Sequence, residues 1–198
     1  MRQKHKLLRE TPSQTAGPYV HIGCTPNFAE MSGVYAEDLG TSMKTGPVKG
    51  EEITITGQVF DGTGTAIRDA MIEIWQADAD GGFASAESNF TGWGRCPTDM
   101  ETGQFQFDTV KPGQVPYMDG RLQAPHITVW IVARGINLGL HTRLYFDDET
   151  QSNAADPILT KIEHRNRVPT LIAKKQSGGS YLFNIHLQGE HETIFFDM

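Results

Sequence analysis

The chain has 198 residues, of which 38% are hydrophobic, and a chain of this length normally forms one domain with a substantial core. Its net charge of -7 would repel phosphate backbones, and its basic residues form no long cluster, which argues against nucleic acid as a partner. No apolar run approaches the roughly 18 residues of a membrane-spanning helix, and the basic start lacks a signal-peptide core, so we expect a cytoplasmic protein without membrane contact.

Residues 1–50 show little periodicity and contain many turn-forming residues, above all between residues 11 and 19. A stretch of this length without a pattern rarely folds alone. We therefore predict that residues 1–50 form an arm, with loops, that packs on a partner subunit. Residues 51–198 are predicted to form the folded domain.

Alternating apolar and polar residues predict the strands of this domain. In the strand that starts at His126, the side chains of Ile127, Val129 and Ile131 are expected to face the core. His126 and Thr128 are expected on the opposite face, because successive side chains of a strand point to opposite sides. The other predicted strands are residues 52–60, 70–77, 104–108, 142–146 and 180–187, with a possible tail strand over residues 192–196.

One helix is predicted among these strands. It starts with Asp156 as the N-cap and Pro157 as the first helical residue, and it ends near His164. Short strands separated by turn signals, with a single helix, indicate an all-β fold. We expect an antiparallel β-sandwich with one short helix and a long extended N-terminal arm.

The cysteines and one pair of histidines are interpreted as residues without a catalytic or metal-binding role. Cys24 and Cys96 are expected to be free thiols, because two cysteines in a chain without an export signal more often stay unpaired. His186 and His191 lie close to two glutamates, but Gly189 breaks the element between them, so a solvated loop is favoured over a zinc site. No glycine-flanked nucleophilic serine is present, so hydrolysis through a covalent intermediate has no support.

The strand that starts at His126 is the best candidate for a metal site. Residues two apart on a strand share a face, so a His-x-His pair could place two imidazoles on one metal ion. The second position here is Thr128, whose hydroxyl is a poor ligand for a transition metal. A lone histidine on a strand is more often a hydrogen-bonded structural residue.

Five segments, read together, resemble the intradiol ring-cleavage dioxygenases, and the match covers most of the chain from about Gly57 onward. These segments are residues 57–62, 73–78, 109–113, 124–127 and 143–146. Residues 11–23, 133–137 and 141–143 are more specifically similar to the alpha subunits of heteromeric members of this family. The resemblance implies the β-sandwich of the family.

The resemblance also implies that this chain has lost a metal site. Catalytic subunits of the family hold a non-heme ferric ion with two tyrosines and two histidines, which fall at Phe83, Val115, His126 and Thr128. Only His126 is a ligand residue, and it is interpreted as vestigial. Gln123 stands where the family has an arginine. The resemblance therefore implies no metal ligands and no catalytic residue in this chain, and it assigns Fe(III) to a homologous beta subunit.

By the same resemblance, the active site lies at the interface of the two subunits, where this chain contributes a wall of the substrate pocket. The substrate-binding residues that carry over are Thr15, Gly17, Pro18, Tyr19 and Arg134. A guanidinium binds a carboxylate through two parallel hydrogen bonds, so Arg134 suits a benzoate substrate. Without the resemblance, an ordinary surface salt bridge would be the preferred interpretation of Arg134.

The implied reaction is the cleavage of 3,4-dihydroxybenzoate by O2 between its two hydroxyl-bearing carbons, within a higher-order hetero-oligomer. The product is 3-carboxy-cis,cis-muconate, in the β-ketoadipate pathway of aromatic degradation. Two alternatives stay open. The chain could be a β-sandwich binding module without an enzymatic partner, or a self-sufficient metalloenzyme that uses His126 with the region of His186 and His191.

Overall fold

A computed structural model of the chain describes residues 14–85 and 88–197. Residues 1–13 of the predicted arm lie outside the described residues, and so does the first part of the segment 11–23 that carries the resemblance. Within the described part of the chain, no helix is long and apolar enough to cross a membrane.

The described residues form eleven strands and two short α-helices. The strands are β1 (Glu52–Phe60), β2 (Met71–Gln76), β3 (Trp93–Pro97), β4 (Gln104–Val110), β5 (Val115–Pro116), β6 (Leu122–Gln123), β7 (His126–Val132), β8 (Leu140–Phe146), β9 (Ile172–Lys175), β10 (Ser180–Leu182) and β11 (Ile185–His186). The helices are α1 (Pro18–Cys24) and α2 (Thr150–Ala155), and the 3-10 segments are Leu159–Lys161, Arg165–Leu171 and Ser177–Gly179.

Nine of these strands form one sheet, in the order β11-β1-β10-β9-β8-β7-β2-β3, with β4 paired to β1. The sheet folds over on itself, because Ile55 of β1 and Phe107 of β4 share one core cluster with Ile74 of β2 and Val129 of β7. The all-β fold is therefore confirmed. Strands β5 and β6 form a separate hairpin beside it.

The pairing is mixed, whereas the sequence predicted an antiparallel arrangement. β1 pairs in parallel with β10 and β11, and β8 pairs in parallel with β9. Parallel neighbours need a long crossover connection. The chain supplies one between β8 and β9, where α2 and two 3-10 segments occur. The strand pattern predicts side-chain faces and carries no information about strand direction.

The predicted faces of β7 are confirmed. Ile127, Val129 and Ile131 are buried in the core, whereas His126 and Thr128 on the other face are partly exposed. β1 shows the same alternation along its whole length. The period of two therefore identified these strands and their inner faces from the sequence.

The predicted helix from Asp156 to His164 is wrong. Helix α2 ends at Ala155, and only a 3-10 turn follows. The carboxylate of Asp156 does accept the N–H groups of Ile158 and Leu159, at 2.8 Å each, as an N-cap would. The turn ends at Ile162, whose backbone is extended and whose side chain packs against a second core cluster with residues of other segments, so tertiary packing overrides the local helix signal.

The last predicted strands are also shorter than expected. The predicted strand over residues 180–187 is interrupted, because β10 ends at Leu182 and β11 starts at Ile185. The tail over residues 192–196 contributes a single bridge, between Phe196 and His141. Strands β3, β5, β6 and β9 and helices α1 and α2 were not predicted. The segments of β3 and β9 lack clean alternation, and their partners are distant in sequence.

Both cysteines are free thiols, as predicted. Cys24 ends helix α1, and Cys96 lies in β3. Burial raises the pKa of the Cys96 thiol above its ordinary value, because the charged thiolate is poorly solvated there. A thiol with a raised pKa is a weak nucleophile, because the thiolate is the reactive form.

Candidate functional site

Strands β7 and β8 have one face opposite the main core. This face carries His126, which the resemblance places at a ligand position. His126 pairs with Tyr145 across the two strands, and Thr128 pairs with Arg143. Paired residues on neighbouring strands have their side chains on the same face. The imidazole of His126 therefore lies close to the guanidinium of Arg143.

A hydrogen-bonded network holds the Arg143 side chain in place. Its Nη1 donates to Oε1 of Gln123 at 2.8 Å and to the hydroxyl oxygen of Tyr145 at 3.4 Å. The Tyr145 hydroxyl in turn donates to the buried carboxylate of Asp156 at 3.5 Å. Gln123 itself lies in β6 opposite Val115 in β5. A permanent cation is thus built into the region where the resemblance places a former metal site.

His126 is neutral in this environment. Its Nδ1 lies 2.8 Å from the carbonyl oxygen of Ala124, so Nδ1 carries the proton and donates. Burial and, second, the nearby charge of Arg143 lower the pKa of His126 to about 4. Both effects disfavour the imidazolium. The hydrogen bond to Ala124 makes His126 a structural link at the start of β7.

This pKa shift predicts an acid-dependent loss of stability. The pKa of His126 is near 6.5 in the unfolded chain and about 4 in the folded one, so the unfolded state binds more protons between these values. Stability is fully present above pH 6.5 and falls by up to about 3 kcal/mol as the pH drops to 4. Urea unfolding of the wild-type chain and of His126→Gln, at pH 7 and pH 4.5, measures this loss. The wild type should lose more stability than the variant, and equal losses would contradict the prediction.

The residues at the four ligand positions do not fit a ferric ion. Phe83 is 73% exposed and offers no oxygen, and Val115 is buried and apolar. Thr128 contributes a neutral hydroxyl, and only the imidazole of His126 could bind a metal. Ferric iron needs several anionic or imidazole ligands, and the guanidinium of Arg143 beside His126 would repel it.

The second histidine region has the character of a loop. The ring of His186 in β11 stacks on the ring of Phe60, with centroids 4.9 Å apart. The ring centroid of His191 lies 5.9 Å from that of His186. His191 is exposed, and nearby Glu192 pairs with Arg167. Across residues 14–85 and 88–197, no group of three or more His, Cys, Asp or Glu side chains is arranged to hold a metal ion. The metalloenzyme alternative, which joins His126 to this region, therefore finds no support.

The arm residues of the resemblance meet the end of β7. The hydroxyl oxygen of Thr15 accepts the N–H of Gly135 at 2.7 Å and lies 3.3 Å from the carbonyl oxygen of Ala133. Gly17 is the N-cap of α1, and the helix starts at Pro18. The side chain of Tyr19 is 84% exposed. In the described part of the arm, this segment therefore lies on its own domain.

A cavity of about 400 Å³ lies between the arm and the end of β7. Gly17 and Arg134 both line it, together with Ala16, Val20, Asp69 and Val132. The side chain of Arg134 is 74% exposed, and its Nε pairs with the carboxylate of Asp69. The structure thus brings two of the five predicted binding residues to one cavity and places Thr15 beside them.

Sequence reasoning missed several residues of these two regions. Asp69 precedes β2 and lies far in sequence from Arg134, and no motif marks it. His21 of α1 donates from Nε2 to the backbone carbonyl of Asp69 at 3.1 Å. Arg143 and Asp156 were also missed as parts of the His126 region, because their contacts form between distant segments. Only the strand alternation around Arg143 could have indicated its face.

Comparison with known proteins relates this chain to dioxygenases, both through a family model and through individual relatives. Residues 24–189 match the family model described as "Dioxygenase". The protocatechuate 3,4-dioxygenase alpha chain of Pseudomonas putida is 46% identical, and the alignment covers 97% of this chain and 98% of that one. The protocatechuate 3,4-dioxygenase beta chain of Burkholderia cepacia is 35% identical, with coverage of 80% and 77%.

A solved structure supports the fold alone. The intradiol ring-cleavage dioxygenase from Tetranychus urticae superposes with a TM-score of 0.58 at 20% identity. The superposition covers 81% of this chain and 92% of that one. The overall fold thus has a counterpart in a protein with little sequence identity.

Proposed function

The chain belongs to the intradiol dioxygenase family, and we propose that it acts there as the alpha subunit of a heteromeric protocatechuate 3,4-dioxygenase. The observation that carries the proposal is the alignment with an alpha chain over nearly the whole length of both proteins. The reaction is the cleavage of 3,4-dihydroxybenzoate with O2 to 3-carboxy-cis,cis-muconate.

We assign the iron to the beta subunit. In this chain, a neutral imidazole and a permanent cation occupy the region of the former ligands, as the contacts of His126 and Arg143 indicate. When bound in the beta subunit, Fe(III) supplies Lewis-acid activation of the catecholate and a template for it. No step of the chemistry is assigned to a residue of this chain.

The role of this chain is to shape and charge the substrate pocket. Arg134 extends from the end of β7 into a cavity that Gly17 also lines. Its guanidinium binds the substrate carboxylate. We also assign Thr15, Pro18 and Tyr19 to the substrate pocket, on the strength of the resemblance. The small size of Gly17 leaves room for the ring, since nothing lies within 4 Å of the position that a Cβ would take there.

Exposed apolar side chains support a partner for this chain. Several large apolar residues are more than half exposed, and aromatic residues and methionine are enriched at protein–protein interfaces relative to the rest of the surface. They include Tyr19, Trp75, Phe83, Met118 and Leu138. We propose that a homologous beta subunit covers some of these side chains, within a higher-order hetero-oligomer. The cytoplasmic location expected from the sequence stays a prediction.

Coexpression with the homologous beta chain tests this proposal. The chain purified alone should contain no stoichiometric iron and cleave no ring, because it lacks the ligand set. The copurified complex should contain iron, show the colour of tyrosinate-bound Fe(III) and consume O2 with 3,4-dihydroxybenzoate. Tightly bound iron in the chain alone would contradict the proposal. A monomer by sedimentation, even with the beta chain present, would favour the binding-module alternative.

A further inference from the structure

The ion pair between Asp69 and Arg134 leaves part of the guanidinium available. Asp69 Oδ2 contacts Nε of Arg134. Among the described residues, neither terminal nitrogen of Arg134 has a hydrogen-bond partner. A carboxylate ligand is bound best by two parallel N–H groups. The Nε atom of Arg134 is therefore held within the chain, whereas the two terminal nitrogens, Nη1 and Nη2, are available to a ligand.

The backbone around Arg134 is held from the arm. Thr15 contacts Ala133 and Gly135, the residues on either side of Arg134. The Thr15 hydroxyl thus links the arm to the peptide groups that carry the Arg134 side chain. A mobile arginine side chain loses rotamer freedom when it binds a ligand, and this lowers affinity. Holding its backbone and its Nε in advance reduces that loss.

Asp69 also contacts the arm through its backbone. His21 of α1 donates to the carbonyl oxygen of Asp69 at 3.1 Å, and Asp69 and His21 line the same cavity as Arg134. The side chain of Asp69 is 25% exposed, compared with 74% for Arg134. The better-buried partner, whose backbone carbonyl also binds His21, can therefore hold the more exposed one.

We propose that Asp69 is a positioning residue for the substrate carboxylate, because it holds Arg134 at Nε and directs the two terminal nitrogens into the cavity. This inference rests on the proposed function. It differs from an ordinary surface ion pair, which contributes little to stability or binding. A positioning residue changes the affinity for a carboxylated substrate and leaves the affinity for an uncharged one unchanged.

The test uses the coexpressed complex and two substrates, 3,4-dihydroxybenzoate and 4-methylcatechol, which lacks the carboxylate. Asp69→Asn should raise KM for the first substrate about tenfold, with kcat and iron content nearly unchanged. KM for 4-methylcatechol should stay at the wild-type value. Asp69→Glu, which keeps the charge, should restore part of the affinity. Asp80→Asn is the matched control, because Asp80 forms an exposed ion pair with Lys49 elsewhere on the chain.

A double-mutant cycle completes the test. In an Arg134→Ala background, Asp69→Asn should have no further effect on KM, because the group that it positions is missing. Equal increases in KM for both substrates, or an additive effect in the double variant, would overturn the inference. So would a wild-type KM in Asp69→Asn when Arg134→Ala raises it, and the proposed function would survive that result. A wild-type KM in Arg134→Ala would contradict the proposed role of Arg134 itself.

Discussion

Replacement of Arg134 by alanine should raise the KM of the assembled enzyme for 3,4-dihydroxybenzoate about 30-fold, with iron content unchanged. The lost interaction is a charge-assisted pair with the substrate carboxylate, whose removal costs on the order of 2 kcal/mol of binding, or about 30-fold in affinity. The carboxylate is remote from the bonds that break. Its contact is equal in the ground and transition states, so KM changes and kcat does not.

Two further variants sharpen this measurement. Arg134→Lys keeps the charge but not the two parallel N–H groups, so its KM should lie between those of the wild type and Arg134→Ala. Arg121→Ala is the matched control, because Arg121 is also a largely exposed arginine and pairs with Asp119 in its own turn. Steady-state O2 consumption gives KM and kcat for each variant. An unaltered KM in Arg134→Ala would mean that Arg134 does not touch the carboxylate.

Asp156→Ala should destabilise the chain by about 3–5 kcal/mol, because it removes a fully buried hydrogen-bond acceptor. The carboxylate of Asp156 is 0% exposed. It accepts the backbone N–H groups of Ala124, Ile158 and Leu159, each at 2.8 Å, as well as the Tyr145 hydroxyl. Alanine leaves these donors without a partner in a region that water does not reach. Urea unfolding of the purified chain measures the difference.

Asp61 offers a matched control for Asp156. Its carboxylate also accepts two backbone N–H groups, from Thr63 and Thr65, but these contacts are exposed. Water can replace the carboxylate there, so Asp61→Ala should cost much less stability than Asp156→Ala. The stability loss of Asp156→Asn should lie between those of Asp61→Ala and Asp156→Ala, because the amide of asparagine keeps one acceptor oxygen. Equal losses for Asp61→Ala and Asp156→Ala would show that burial does not determine the effect.

The region around His126 shows how far sequence reasoning reaches. Alternation placed His126 and Thr128 on one face of a strand, and the structure agrees. The motifs around them indicated that the ligand set is incomplete. The sequence did not indicate that Arg143 reaches Gln123 on the β5–β6 hairpin. That contact depends on how the hairpin packs against β8.

The helix predicted at Asp156 failed for a related reason. Asp156 was predicted to be the N-cap, and its carboxylate does accept nearby N–H groups as an N-cap would, but the residue is the C-cap of α2 and no helix begins there. The length of the helix depends on distant residues, since the turn ends at Ile162, which packs against a cluster that includes Tyr145. The parallel pairs of β9, β10 and β11 were missed because direction depends on long connections.

The sequence by itself determined the family, the inner faces of the main strands and the residue types at the positions where the resemblance places metal ligands. These depend on motifs and on the two-residue period, which involve neighbouring residues. Only the tertiary structure decided that Arg143 adjoins His126 and that Asp69 holds Arg134. Each of these contacts joins segments that are distant along the chain. Such contacts arise from strand pairing and core packing, which no short sequence pattern encodes.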